Sequence, residues 1–157
     1  DNLIVTRTFS KSRSMAGARL GFAIANEALI QDMNALKYAQ NPYNVNRMTA
    51  AAGIAAIRDD DYYLGNCARI RETREKTAAA LTELGFTVLP SDTNFLFIKR
   101  HGLDGAGYYA ALRDKGILVR HFDTVRLRDY ARVTIGTDKQ MTRFLEATKE
   151  IIKEKKA

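Results

Sequence analysis

A lysine flanked by hydroxyl and arginine side chains is the group in this sequence best suited to covalent chemistry. It is Lys11, in residues 8–19, which read Thr-Phe-Ser-Lys-Ser-Arg-Ser-Met-Ala-Gly-Ala-Arg. A neutral lysine amine can form a Schiff base with an aldehyde, and burial or neighbouring cations favour the neutral form. Thr8 and Ser10 lie two residues apart, so on a strand their hydroxyls face the same way, and the planar guanidinium of Arg19 suits a phosphate. Together these side chains could hold a phosphorylated aldehyde by both ends, although a lysine after a strand is more often a solvated loop charge.

Two apolar runs enclose this segment and are expected to position it. Residues 3–5 and 20–25 predict short buried strands. A helix is predicted over residues 27–38, where apolar residues recur at helical spacing, and Asn-Pro then ends it. A second helix follows with a face of small residues, and Gly53 within it indicates close packing, because glycine costs a helix about 1 kcal/mol relative to alanine.

The second half of the sequence alternates between helices and strands. After an acidic cap and turn at residues 59–61, a long helix is predicted from Tyr63 to Gly85, where a left-handed residue would end it. Beyond it the patterns predict strands at residues 86–89, 94–98, 117–119 and 131–135, a helix from Asp104 to Lys115, and a last helix opened by a Thr137–Gln140 capping box. A sheet covered by helices on one face fits this order.

Residues 8–22 resemble the lysine segment of the fold type I pyridoxal-phosphate aminotransferases, and most of all that of the histidinol-phosphate branch. The resemblance continues in family order through residues 41–46, 91–95, 116–120 and 130–136, which covers nearly the whole chain. It implies an α/β fold made of the tail of a pyridoxal-phosphate-dependent transferase large domain plus a small α+β C-terminal domain, joined by a long helix. The resemblance implies that residues 1–40 end the cofactor-binding large domain, that residues 41–85 form connecting helices, and that residues 86–157 form the small domain.

The same resemblance implies roles at the lysine segment. Lys11 would be the covalent anchor of pyridoxal 5'-phosphate and the general acid–base that moves the substrate proton. Thr8, Ser10 and Arg19 would bind the phosphate of the cofactor. Arg13 is expected to be a surface or supporting charge.

Four residues outside this segment are implied to contact the substrate. Arg132 would grip the substrate carboxylate, since arginine and carboxylate pair through two parallel hydrogen bonds, and Arg120 would help to bind a substrate phosphate. Tyr43 and Asn94 would border the active site. The residue pattern alone leaves simpler interpretations open. Arg120 and Arg132 could be exposed charges on strands, Tyr43 could belong to a turn, and Asn94 could satisfy backbone groups.

The implied activity is transamination between glutamate or 2-oxoglutarate and histidinol phosphate or imidazole-acetol phosphate, a step of histidine biosynthesis, by a homodimer acting on small molecules. Another aminotransferase acting on aromatic amino acids, a threonine-phosphate decarboxylase-like enzyme and an inactive fragment remain alternatives. In the family the residues that face the pyridine ring precede the lysine. We therefore expect this chain, which begins at Asp1 rather than methionine, to be the C-terminal portion of a longer protein.

Composition restricts the class of protein. The chain has 157 residues, of which 46% are hydrophobic and 27% charged, as in soluble globular proteins. Its net charge of +7 is scattered, so no nucleic-acid partner is expected, and no apolar run reaches the ~20 residues of a membrane span. A lone cysteine, Cys67, predicts a reducing, cytoplasmic setting, and no ligand spacing indicates a metal site. One basic cluster is expected simply to end the last helix, where cations suit the dipole: Lys149, Lys153, Lys155 and Lys156.

Overall fold

The computed structural model describes residues 2–154, in which strands and helices form a mixed α/β fold. Asp1 and two lysines of the basic cluster, Lys155 and Lys156, lie outside the described residues. The chain divides into two units, Asp1–Asn66 and Cys67–Ala157. In chain order the elements are β1 (Val5–Thr8), a 3-10 turn (Ala16–Ala18), β2 (Gly21–Ile24), α1 (Glu27–Gln40), α2 (Arg47–Arg58), α3 (Asp60–Glu83), β3 (Phe86–Val88), β4 (Phe95–Arg100), α4 (Gly105–Asp114), β5 (Arg120–His121), β6 (Ala131–Thr134) and α5 (Asp138–Glu154).

In the first unit, β1 and β2 pair as an antiparallel ribbon, with Thr8 opposite Gly21 at the end nearest the lysine segment. A Cβ at Gly21 would lie 2.8 Å from the carbonyl oxygen of Arg7, so the close approach of the strands requires glycine there. The prediction that both strands are buried is wrong, because most of their side chains are exposed in the described chain; Ile24 is 61% exposed. A two-stranded ribbon buries little of its own surface.

Helices α1 and α2 begin at asparagine caps. The side chain of Asn26 accepts a hydrogen bond from the backbone of Leu29 at 2.9 Å, and that of Asn46 accepts one from Thr49 at 2.8 Å. Gly53 of α2 is buried, and a Cβ there would collide with the side chain of Leu20. The close packing predicted at this glycine is therefore confirmed.

Helix α3 begins three residues earlier than predicted. Asp60 and Asp61 occupy its first turn rather than a preceding cap and turn, and carboxylates there interact favourably with the helix dipole. Gly85 follows the helix with a φ of +81°, as predicted for a left-handed stop. The boundary between the two units falls within this helix, after Asn66.

In the second unit, four antiparallel strands form a sheet in the order β3-β4-β6-β5. One face of the sheet is buried, as the alternation of buried and exposed residues along β6 shows. This face contributes Leu96, Ile98, Ala131 and Val133 to a core that also includes residues of α4 and α5. The strand predicted at residues 117–119 is wrong: pairing with β6 begins only at Arg120, which lies opposite Arg132.

Helices α4 and α5 start where their caps were predicted. The Asp104 side chain accepts a hydrogen bond from the backbone of Gly107 at 2.6 Å. At α5 the backbone of Thr137 donates to Gln140 Oε1 at 2.8 Å, and the backbone of Gln140 donates to Thr137 Oγ1 at 3.3 Å. This reciprocal pair is the predicted capping box. The buried face of α5 consists of Met141, Phe144, Ala147, Thr148, Ile151 and Ile152, with Leu145 only half-buried.

Within residues 2–154, no helix has both the length and the apolar character needed to cross a membrane.

Candidate active site

The lysine segment forms a loop that is closed at its base. The backbone of Phe9 donates a hydrogen bond to the carbonyl of Leu20 at 3.1 Å, continuing the pairing of β1 with β2. Phe9 is only 3% exposed and packs edge-to-face on Phe22, with 6.0 Å between ring centroids. Ser10 and Arg19 are the loop residues next to the hydrogen-bonded pair of Phe9 and Leu20. The fold therefore holds the two ends of the lysine segment together.

The two hydroxyl side chains lie in contact, as their spacing predicts. Thr8 Oγ1 donates to Ser10 Oγ at 2.9 Å, and the backbone nitrogen of Ser10 donates to Thr8 Oγ1 at 3.1 Å. Ser10 has left the strand, so this local turn, rather than strand geometry, places the hydroxyls on one side. Since the Ser10 oxygen accepts in this pair, its own hydrogen can be donated to an anion.

Lys11 opens a tight turn within the loop. Its carbonyl accepts a hydrogen bond from the backbone of Ser14 at 2.9 Å, and the backbone of Met15 donates to Phe9 at 2.9 Å. Ser14 has a φ of +56°, in the left-handed region that serine rarely adopts. The Lys11 side chain is exposed, so the described residues do not bury the amine.

Arg19 also has a left-handed backbone, with a φ of +53°. Its guanidinium donates to the carbonyl of Ala16 at 3.0 Å, and the side chain is otherwise largely exposed. Non-glycine residues in this region are strained and cluster at functional sites, where the surrounding structure maintains them. Two such residues within one loop therefore favour a functional role for the loop.

Arg13, predicted to be a surface or supporting charge, has the supporting role. Its guanidinium donates to the carbonyl of Ala56, lies 3.1 Å from Asp60 Oδ1, and covers the ring of Tyr63 at 4.0 Å. The side chain is only 17% exposed, so it is not a surface charge. Arg13 ties the lysine loop to the end of α2 and the start of α3, and no local pattern could reveal this because its partners are distant in sequence.

The predicted substrate residues lie in both units. Tyr43 belongs to the turn between α1 and α2 of the first unit and is 91% exposed. Asn94 precedes β4 in the second unit, and its carbonyl accepts a hydrogen bond from the backbone of Ile135 at 2.9 Å. The loop before Asn94 is also held to α3, because the Arg74 side chain donates a hydrogen bond to the carbonyl of Thr93 at 3.0 Å.

The two predicted arginines of the second unit are cross-strand neighbours. Arg120 of β5 lies directly opposite Arg132 of β6, and both side chains are exposed on the sheet face that is turned away from the core. The Arg132 guanidinium lies 4.4 Å from the ring of Phe95, and those of Arg132 and Arg120 lie 5.9 and 5.1 Å from the ring of Phe122. The fold thus brings together two strong anion-binding groups on an aromatic surface.

No set of three or more His, Cys, Asp or Glu side chains in the described part of the chain is arranged to hold a metal ion. The predicted site residues supply a lysine amine, paired hydroxyls and exposed guanidiniums. These groups can bind phosphate and carboxylate groups and can attack or protonate a carbon centre.

The sequence profile of the class I and II aminotransferases matches residues 1–147. Among curated proteins, the histidinol-phosphate aminotransferase of Brachyspira hyodysenteriae is 52% identical over 98% of this chain and 43% of its own length. That of Chromohalobacter salexigens is 45% identical over 96% of this chain and 43% of its own length. The chain thus spans less than half the length of these relatives.

Solved structures of similar proteins have the same fold. The histidinol-phosphate aminotransferase of Sinorhizobium meliloti, solved with pyridoxal-5'-phosphate, superposes with a TM-score of 0.82 at 31% identity, over 98% of this chain and 42% of that one. The Clostridium acetobutylicum enzyme superposes with a TM-score of 0.85 at 27% identity, over 94% and 45%. With the profile match extending over nearly all of its residues, the chain belongs to the class I and II aminotransferase family.

Proposed function

We propose that this chain is the C-terminal portion of a pyridoxal-phosphate-dependent aminotransferase. The reaction would exchange an amino group between glutamate or 2-oxoglutarate and histidinol phosphate or imidazole-acetol phosphate, as a step of histidine biosynthesis. The observation that carries the proposal is the closed lysine loop, with a hydroxyl pair at one end of its base and Arg19 at the other. The names of the similar proteins support this choice of substrate.

The residues of the loop fit a phosphorylated aldehyde. The hydroxyls of Thr8 and Ser10 and the guanidinium of Arg19 would donate hydrogen bonds to the phosphate, and left-handed backbone at Arg19 supports a built site. When bound, pyridoxal 5'-phosphate supplies an electron-accepting ring. Lys11 would hold the cofactor covalently, and its released amine would take the proton from the substrate Cα.

The exposed arginines of the second unit fit the anionic groups of the proposed substrates. Arg132 would bind the carboxylate of glutamate or 2-oxoglutarate. Arg120 would bind the phosphate of histidinol phosphate or imidazole-acetol phosphate. Asn94 and Tyr43 would contact the substrate. We further propose that residues 1–40 end a large cofactor-binding domain, that residues 41–85 connect it to a small domain at residues 86–157, and that the protein acts as a cytoplasmic homodimer.

Trapping of the cofactor tests the role of Lys11. The full-length protein is mixed with equimolar pyridoxal phosphate, reduced with borohydride, digested and mapped by mass spectrometry. We expect the phosphopyridoxyl mass on Lys11 and its loss in Lys11→Ala, because only a lysine amine within a phosphate site is labelled at low cofactor concentration. Lys37, an exposed lysine of α1, is the matched control; labelling of Lys37 to the same extent as Lys11 would overturn the proposal.

A substrate comparison tests the choice of reaction. With glutamate as amino donor, we expect turnover of imidazole-acetol phosphate to exceed that of phenylpyruvate by at least about tenfold in kcat/KM, since only the former presents a phosphate to Arg120. Lys11→Ala supplies the blank. Preference for phenylpyruvate would assign the protein to the aromatic aminotransferases instead.

A further inference from the structure

Arg120 and Arg132 form an unusual pair because two like charges lie directly opposite each other on neighbouring strands. Such an arrangement destabilises a sheet unless another group offsets the repulsion. Within residues 2–154, neither guanidinium has a carboxylate within ion-pair distance. The groups that lie against them are aromatic rings.

Phe122 is the ring that both guanidiniums share. It follows β5 by one residue, and its ring lies 5.1 Å from Arg120 Cζ and 5.9 Å from Arg132 Cζ. The face of an aromatic ring attracts a cation, so one side chain can fix both guanidiniums and offset their repulsion. Unlike a carboxylate, a ring leaves the N–H groups of the arginines available for an anion.

The position of Phe122 is itself fixed from the side. Its ring meets that of Phe97 at 6.3 Å with an interplanar angle of 74°, and Phe97 stacks on Tyr130 at 4.5 Å with an angle of 8°. These rings lie on the outer face of the sheet, and Phe122 does not belong to the hydrophobic core. Its packing therefore serves the surface that carries the arginines rather than the core beneath it.

We propose that Phe122 is a positioning residue that sets the spacing of the Arg120 and Arg132 guanidiniums so that the pair receives the anionic groups of the substrate. The inference rests on the proposed function, in which these arginines bind substrate. Phe122 touches no reacting atom in this scheme and acts only through the two arginines. Loss of its ring should therefore weaken substrate binding and leave the chemical step intact.

Steady-state kinetics of the full-length protein test this inference with three variants. Phe122→Leu removes the ring, Phe122→Tyr keeps it as the matched control, and Phe97→Leu removes a ring that contacts Phe122 and lies directly opposite Arg132. We expect Phe122→Leu to raise the KM for imidazole-acetol phosphate about fivefold to tenfold while kcat changes less than about twofold. Phe122→Tyr should stay within about twofold of the parent protein in KM, whereas Phe97→Leu should raise KM less than Phe122→Leu does, because it removes only the support of Phe122.

The binding of inorganic phosphate separates a failure of this inference from a failure of the proposed function. Titration calorimetry with phosphate alone should show the same fivefold to tenfold weakening in Phe122→Leu, even if the protein does not transaminate or label at Lys11. If Phe122→Leu unfolds, Phe122→Met, which also fills space without an aromatic face, carries the same expectation. An unchanged phosphate affinity in a folded ring-less variant, or equal weakening by Phe122→Tyr, would overturn the proposal.

Discussion

Arg13 and Arg132 carry the same guanidinium but lie in opposite surroundings. Arg13 donates to a carbonyl and a carboxylate and lies over the ring of Tyr63, so both terminal nitrogens of its guanidinium are used within the protein. Arg132 is exposed and lies on aromatic faces, which leave its N–H groups available. These surroundings support loop attachment by Arg13 and the anion binding that we propose for Arg132.

At a third residue, Tyr108, burial controls both stability and its pH dependence. The hydroxyl lies 2.8 Å from Thr148 Oγ1 in the core, and burial raises the pKa of Tyr108 above its ordinary value. Because the folded state disfavours the phenolate, the stability that this residue contributes is complete below the unfolded pKa near ~10 and is lost as pH rises above it. We expect Tyr108→Phe to lower the free energy of unfolding at neutral pH by about 1–3 kcal/mol, since Thr148 loses its partner.

Urea unfolding at pH 7 and pH 11 measures both effects. The free energy of unfolding should also fall less between pH 7 and pH 11 in Tyr108→Phe than in the parent protein. The adjacent Tyr109→Phe, at a half-buried tyrosine, should change stability by no more than about 0.5 kcal/mol. If stability recovers in the double variant Tyr108→Phe with Thr148→Val, the loss is due to the unsatisfied hydroxyl of Thr148. An unaltered urea midpoint in Tyr108→Phe would contradict this explanation.

At the level of elements, local signals were sufficient where the partners are close in sequence. The caps at Asp104 and Thr137 satisfy backbone groups three residues away, and their patterns predicted the starts of α4 and α5 correctly. The strand predicted at residues 117–119 failed because apolar residues there favour a strand, whereas pairing with β6 decides where β5 begins. The positions of Arg13 and Phe122 depend on contacts of this distant kind, so the sequence indicates candidate reactive side chains but not the groups that hold them.

The packing of α2 on the lysine loop leads to a prediction about two glycines. In an open helix, Gly→Ala gains up to about 1 kcal/mol, and this is expected at Gly65 of α3, where an added Cβ has nothing within 4 Å. At Gly53 the added Cβ would collide with Leu20, whose carbonyl closes the lysine loop. We expect Gly53→Ala to be less stabilising than Gly65→Ala by about 1–2 kcal/mol, because a methyl group at the far end of the Leu20 side chain must move.

Gly65→Ala is the matched control, and urea unfolding compares the two variants. Gly53→Ala should in addition reduce the trapping of pyridoxal phosphate on Lys11, since displacement of Leu20 alters the base of the loop, whereas Gly65→Ala should not. Equal stabilisation by both substitutions would mean that Leu20 moves aside without cost and that the packing of α2 does not define the loop.

On the scale of the whole molecule, the buried hydrophobic residues are distributed unevenly between the two units. Among residues 2–154, Phe9 is the only buried hydrophobic side chain of the first unit, whereas the second unit has an extensive core around Leu96, Ile98, Leu112 and Ile151. Segments with few buried apolar contacts open at low free-energy cost, while core strands and helices open only near the free energy of global unfolding. The lysine loop therefore belongs to the less stable part of the 157-residue chain.

Hydrogen exchange measured by mass spectrometry tests this distribution. In the 157-residue chain we expect amides of β4, β6 and α5 to exchange at least about 100-fold more slowly than those of β1 and β2. Leu112→Ala, at a side chain with 0% exposure, should accelerate exchange in β4, β6 and α5, because the cavity costs about 2–5 kcal/mol, and should leave β1 and β2 unaffected. Equal protection of β1 and β4 would show that the two units unfold as one, and the stability of the lysine loop would then depend on the core of the second unit.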